Sequence, residues 1–216
     1  MEQTDDRKLY RVPILFLVSI YAPPILHIIL FTDSEGIPLL ELPLLFAPYI
    51  LAVANVRAAM AGYRNESRAF LLNSAVLLKY GLVPFFVVCG GLVVALSFST
   101  LIPVPFMIIV GPTGAMMVLA IMWAFLASGS AYSLAYLLVA RRDGVRTHAS
   151  VMVHAVLQFM FITDVISVMV LTWQERRWRG LTVAVAIEII VIAIALLVGA
   201  VWFISTIVSA FNAAAV

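Results

Sequence analysis

The sequence predicts an all-α integral membrane protein, a bundle of about six transmembrane helices with both termini in the cytoplasm. Of the 216 residues, 64% are hydrophobic and 11% are charged, and the mean hydropathy is +1.13. Soluble domains are about 45–50% apolar and about 25% charged. The apolar runs are long and continuous, so they favour helices over the short alternating strands of membrane barrels. A crossing takes about 20 residues, and six predicted helices with their connections take up the chain, 1–216, as a single transmembrane domain.

Charged turns and helix breakers divide the chain into these helices. The acidic turn 32–36 closes the first helix. Between Lys79 and Arg141 lie 61 residues without an Asp, Glu, Lys or Arg, which as one helix would be about 90 Å long, or about three bilayer cores. The serine, proline and glycine residues of 97–114 predict a turn there, with 101–110 as an interfacial or a re-entrant segment. The predicted helices are 13–31, 37–56, 69–98, 115–140, 150–173 and 181–209.

The distribution of lysine and arginine predicts the orientation, because cytoplasmic loops of membrane proteins carry an excess of both. With the N-terminus inside, nine basic residues are cytoplasmic and three are outside. The cytoplasmic residues are Arg7, Lys8, Arg11, Arg57, Arg64, Arg68, Arg141, Arg142 and Arg146, and the outer ones are Arg176, Arg177 and Arg179. If the fifth helix did not cross fully, the last three would be cytoplasmic too. We expect a multi-pass membrane protein.

Five polar side chains inside the predicted helices are candidate functional residues, because ionisable groups in a bilayer are costly and mark sites. Lys79 and Asp164 each lie about ten residues inside a helix, near mid-depth. They could form an ion pair, either a structural one or part of a proton or substrate site. Glu188 lies about seven residues inside the last helix. His154 and Gln158 are four residues apart and share one face, with Asp164 about 80° to 120° around the helix, so these three are not expected to form one polar stripe.

The fourth predicted helix carries small residues four positions apart, a pattern that lets helix backbones approach closely in lipid. We expect it to be the central packing helix. The small residues are Ala120, Ala124 and Ser128 in one row and Ala127, Ala131 and Ala135 in another.

Several classes of function are not supported by any motif. No two histidines have the H-E-x-x-H spacing of a metal-binding helix, and the sequence holds no phosphate-binding loop or G-x-S-x-G elbow. The formal net charge is only +2, too small for a surface that binds nucleic acid. We therefore expect no enzymatic activity, no cofactor, no metal and no nucleic-acid partner. The expected partners are the lipid bilayer and, if the protein is a subunit, another membrane protein.

Three stretches resemble segments of an uncharacterised family of small bacterial integral membrane proteins: NVRAAMAGYRNESRAF (55–70), LLKYGLVPFF (77–86) and VLQFMFITDVISVMVL (156–171). The resemblance implies a bacterial cell membrane and no particular activity, and it places Lys79 and Asp164 within these segments. In size and helix count the chain is also similar to the substrate-binding subunits of energy-coupling-factor transporters. Its first helix, however, lacks their A-x-x-x-A packing motif.

Two functions remain in competition at this point. The first is a transport-related protein that binds or moves a small solute, alone or as a subunit. It is favoured by the candidate polar site and by the proline-containing helices, because broken helices frame many transport sites. The alternative is a non-transporting accessory, immunity or regulatory protein that binds another membrane protein.

Overall fold

The all-α prediction is confirmed by the computed structural model, which describes residues 10–30, 41–65, 67–100 and 104–214. All regular structure within these ranges is helical. The helices are α1 (Arg11–Leu30), α2 (Glu41–Arg64), α3 (Arg68–Gly81), α4 (Val83–Ser99), α5 (Pro105–Arg142), α6 (His148–Leu157), α7 (Phe161–Gln174) and α8 (Arg179–Ala214). The chain divides into two compact units, Met1–Val170 and Leu171–Val216, and the boundary falls within α7.

Five stretches of the described chain are long and apolar enough to cross a membrane. They are Arg11–Ile28, Pro43–Arg64, Arg68–Ser99, Pro105–Arg142 and Arg179–Gly199. The predicted helix 150–173 is instead two shorter apolar helices, α6 with 10 residues and α7 with 14. At 1.5 Å per residue they are about 15 Å and about 21 Å long, each less than a bilayer core of about 30 Å.

The predicted helix 69–98 is also divided, because a tyrosine side chain enters its hydrogen-bond ladder. The Tyr21 hydroxyl of α1 donates to the Gly81 carbonyl oxygen at 2.5 Å and accepts from the Phe85 N–H at 3.2 Å. It thereby replaces the helical bond between these two residues. Pro84 has no N–H and removes the neighbouring bond. An inserted side chain and a proline are both established causes of a helix break, and α3 and α4 meet at Leu82.

Of the predicted segment 101–110, positions 101–103 lie outside the described residues. Residues 105–110 are continuous with the following helix, whereas the sequence predicted a break between them. They form the first turns of α5, a helix of 38 residues and about 57 Å. The expected breaker Gly111 lies against α4 instead. A Cβ at this position would lie 2.6 Å from the Leu96 carbonyl oxygen, so glycine is needed for the close approach. Thr113 donates its hydroxyl to the Ile109 carbonyl oxygen, and such bonds help apolar helices to tolerate proline and glycine.

Helix α5 is the centre of the first unit, as its small residues predicted. It packs against α2, α3, α4 and α6, whereas α1 packs against α2 and α3. The Phe125 ring of α5 lies 5.5 Å, between ring centroids, from each of Phe16, Tyr49 and Phe85. Aromatic rings at this separation attract one another in addition to the area they bury. The C-terminal half of α5 is largely buried, and this half faces the site described below.

The second unit contains the end of α7, a tight turn and α8. The turn predicted at 174–180 is present between Gln174 and Arg179. The Arg179 guanidinium lies 5.1 Å from the centroid of the Trp173 ring, within the range of a cation–π contact. The hydroxyls of Thr172 and Thr182 lie 3.0 Å apart and are buried, so the two helices are joined by a hydrogen bond close to the turn.

Candidate functional site

The candidate site lies where α6 ends and α7 begins, at residues 158–160. The Phe159 N–H donates to the Val156 carbonyl oxygen at 3.2 Å, and the Met160 N–H donates to that of Leu157 at 3.4 Å. These bonds span three residues instead of four, so the last turn of α6 tightens and the α-helix stops. The Thr163 hydroxyl donates to the Leu157 carbonyl oxygen at 3.0 Å and caps the broken end. The break contains neither glycine nor proline.

A buried ion pair lies beside this break. The Lys79 ammonium of α3 and the Asp164 Oδ2 of α7 are 2.5 Å apart, and the two side chains are 1% and 0% exposed. The pair that the sequence suggested is therefore present. Because neither group reaches solvent, each charge depends on the other for compensation.

Two more oxygens hold the lysine. Its Nζ donates to the Ser130 hydroxyl at 2.7 Å and to the Leu126 carbonyl oxygen at 3.4 Å. The Ser130 Oγ also lies 2.9 Å from the Gln158 carbonyl oxygen. With Asp164, the ammonium has three acceptors, which equals its number of N–H groups. Ser130 connects the lysine to the carbonyl of Gln158, the residue directly after α6.

Gln158 and His154 join the same cluster through Ser167. The Gln158 amide donates to the Ser167 hydroxyl at 3.1 Å, and His154 Nδ1 lies 2.8 Å from the same oxygen. Ser167 follows Asp164 by three residues and lies on the same face of α7. The prediction that His154, Gln158 and Asp164 do not form one polar stripe assumed one unbroken helix over 150–173, whereas the structure brings all three into one cluster across the break.

Two buried oxygens of the cluster have no hydrogen-bond partner in the described part of the chain. They are Oδ1 of Asp164 and Oε1 of Gln158, and both side chains are 0% exposed. A buried polar atom without a partner costs about 1–3 kcal/mol, and more when it is charged. Such atoms in a native protein call for an explanation, and both are acceptors.

The family of unknown function DUF6652 matches residues 42–177, well over half of the chain. The chain belongs to DUF6652. The predicted resemblance to an uncharacterised family is thereby confirmed. No curated protein and no solved structure matches the chain. The matched region of DUF6652 includes the whole polar cluster, from Lys79 to Ser167, and the break between α6 and α7.

Glu188, the fifth predicted residue, lies outside the matched DUF6652 region. It belongs to α8 in the second unit, where its side chain is exposed. Four of the five predicted residues thus come together within the first unit. Among the described residues of this DUF6652 member, no group of three or more His, Cys, Asp and Glu side chains is placed to hold a metal ion.

Sequence reasoning missed two members of the cluster, Ser130 and Ser167. Serine is common at packing positions of membrane helices, so neither residue alone indicates a polar site. A usable signal was the spacing of Ser167 three residues after Asp164, on one face of a helix. Ser130 lies among the small residues of α5, which the sequence pattern assigned to packing.

Proposed function

We propose that this protein is transport-related and binds or moves a small solute at the buried cluster, either alone or as a subunit. The observation that carries the proposal is the Lys79–Asp164 pair, fully buried and placed at a break between two short helices. Ionisable groups inside apolar helices mark solute and ion pathways. Discontinuous helices place backbone polar groups at such sites. The cluster has both features at one point.

We also propose that α6 and α7 together form a sixth, discontinuous crossing, with both termini in the cytoplasm of a bacterial cell. Their summed length is about 36 Å, enough for a core of about 30 Å. The excess of arginine in the loops after α2 and α5 supports this orientation. Arg176, Arg177 and Arg179 are exceptions to the rule, because this topology places them outside the cell.

A purely structural pair accounts for less of the geometry. A pair that only fixes helix positions would be most stable if every polar atom around it were satisfied. Here Oδ1 of Asp164 and Oε1 of Gln158 have no partner within the described chain. A site that receives a ligand explains these two atoms, because the ligand supplies the missing contacts. We propose no catalytic role for the cluster.

Thermal unfolding of the purified protein across a solute panel tests this function. The panel includes amino acids, sugars, nucleosides and inorganic ions. A solute that binds the native state raises the unfolding temperature. We expect at least one such solute, and we expect Asp164→Asn to abolish its effect. Asp143→Asn is the matched control, because Asp143 is an exposed aspartate 3.5 Å from Arg68 and its loss should leave the shift intact. If no solute stabilises the wild type, the transport proposal fails.

The alternative accessory role has one observation in its favour, a small-residue surface on α4. Added Cβ atoms at Gly90 and Gly91 would meet nothing within 4 Å, and glycines in apolar helices often let a partner helix approach. Cys89, the single cysteine of the sequence, is adjacent and half-buried. A cross-link from Cys89 to another membrane protein that Gly91→Leu abolishes, together with no stabilising solute, would favour the accessory role.

A further inference from the structure

The hydrogen-bond capacity of the cluster indicates what it can bind. The Lys79 ammonium already has three acceptors, and the Gln158 amide nitrogen donates to Ser167. The two atoms of the cluster that lack a partner within the described chain are oxygens, Asp164 Oδ1 and Gln158 Oε1. An anion would need free donors. A cation or a strong donor would use the oxygens that are present.

The backbone around the break has both polarities, because α7 begins there with the positive end of its dipole near Asp164 in its first turn, while α6 supplies acceptors. Helix α6 ends at the break, and the carboxyl end of a helix carries about half a negative charge from its last carbonyls. In transport proteins, such ends of broken helices coordinate small cations. The cluster contains one carboxylate and one ammonium. These two charges cancel, so a bound monovalent ion adds one positive charge to an apolar interior and a divalent ion adds two. The site therefore favours a monovalent ion.

Two features of the Lys79 side chain bear on an exchange at Asp164. Its four-carbon stem is flexible, and its end lies next to Gly129. A Cβ at Gly129 would lie 3.6 Å from Lys79 Cε and 3.7 Å from Nζ, which is ordinary van der Waals contact, so the glycine leaves room for about one methyl group beside the end of the lysine. The Lys79 ammonium is itself a monovalent cation in contact with Asp164 Oδ2.

We propose that the cluster binds a small monovalent cation in exchange for the Lys79 ammonium, with Asp164 as its counter-ion and Gln158 Oε1 as a second ligand. The displaced ammonium keeps its hydrogen bonds to the Ser130 hydroxyl and the Leu126 carbonyl oxygen. This inference rests on the proposed function and names the class of its solute. The lysine and the cation compete for one carboxylate, so the ion pair is the cation-free state. Removal of the lysine should therefore strengthen cation binding.

The test is thermal unfolding of the full chain in detergent, in lithium, sodium, potassium or ammonium chloride. Choline chloride at the same ionic strength is the reference, because choline is too large for the buried site. We expect one of the small cations to raise the unfolding temperature of the wild type. In Lys79→Met, the concentration of this cation that gives half of the stabilisation should fall about tenfold or more, because the lysine no longer competes for Asp164. A tenfold fall corresponds to a wild type in which Lys79 is away from Asp164 about 10% of the time. Asp164→Asn should remove the effect, and Gln158→Met should weaken it.

The double variant Lys79→Met with Asp164→Asn is the control for folding. It leaves neither charge of the ion pair in the cluster, so it should fold, and it should respond to small cations and choline alike. Equal responses of the wild type and Lys79→Met to all salts would overturn the inference. If Lys79→Met does not fold, the wild type is compared with Gln158→Met instead. Equal responses of these two proteins to all salts would then overturn the inference. Stabilisation by a neutral solute through Asp164, without any cation effect, would overturn the cation assignment and leave the transport proposal standing.

Discussion

Removal of Lys79 should destabilise the protein more than neutralisation of Asp164. In Lys79→Met the carboxylate keeps no partner among the described side chains, because Oδ2 contacts Lys79 and Oδ1 contacts none. In Asp164→Asn the ammonium keeps the Ser130 hydroxyl and the Leu126 carbonyl oxygen, and the new amide oxygen can still accept from it. Lys79→Met therefore leaves a carboxylate without a partner among the described side chains, whereas Asp164→Asn leaves an ammonium that keeps two acceptors.

The magnitudes follow from these contacts. An uncompensated buried charge costs about 3–5 kcal/mol of unfolding free energy, so Lys79→Met belongs in this range. Asp164→Asn leaves a charge with two remaining acceptors and should cost about 1–3 kcal/mol. The double variant removes both charges and should lie closer to the wild type than Lys79→Met does. The coupling energy of the cycle should then be about 2 kcal/mol or more.

The assay is reversible unfolding in mixed micelles, with choline chloride as the only salt so that no small cation occupies the site. A second cycle on the exposed pair Arg68 and Asp143, 3.5 Å apart and about a third exposed, is the matched control. Its coupling should be below about 1 kcal/mol, because water screens it. Additive single effects at Lys79 and Asp164, or a larger cost for Asp164→Asn than for Lys79→Met, would refute the reasoning.

Three further substitutions test contacts away from the cluster, by the same unfolding assay. Tyr21→Phe removes the hydroxyl that bridges α3 and α4 and should cost about 1–3 kcal/mol, because a backbone N–H and a carbonyl lose their partner. Tyr132→Phe removes the 3.0 Å bond to Asn55 Oδ1 and should cost about 1–2 kcal/mol. Gly62→Ala would place a Cβ 2.7 Å from an aromatic carbon of α3 and should cost about 1–3 kcal/mol. Its control is Gly90→Ala, which meets nothing within 4 Å. Equal costs for the two glycine variants would contradict the packing at Gly62.

Hydropathy predicted the helical class, because long apolar runs favour helices in a membrane. It also predicted most helix ends, because charged turns interrupt these runs. The polar turn between Gln174 and Arg179 is one example. The breakers at 111–114 misled the prediction, because Gly111 serves close packing and an apolar helix tolerates Pro112. The break at Leu82 had a partial signal in Pro84. Its other cause, the hydroxyl of Tyr21, is distant in the sequence and was not predictable.

The polar cluster could not be derived from helical periodicity, because it depends on the break that ends the periodicity. In one continuous helix, Asp164 would lie about 120° around the axis from Gln158. The break at 158–160 starts a new helix with a new phase, and Ser167 then contacts both Gln158 and His154. One of the contacts at the break is tertiary, since Ser130 lies against both the Gln158 carbonyl and Lys79. The ion pair and the break thus share a residue, and a change in one is expected to reach the other. A solute that separates Lys79 from Asp164 would therefore also alter the contacts at the end of α6, which gives the cluster a physical route from binding to movement of a helix.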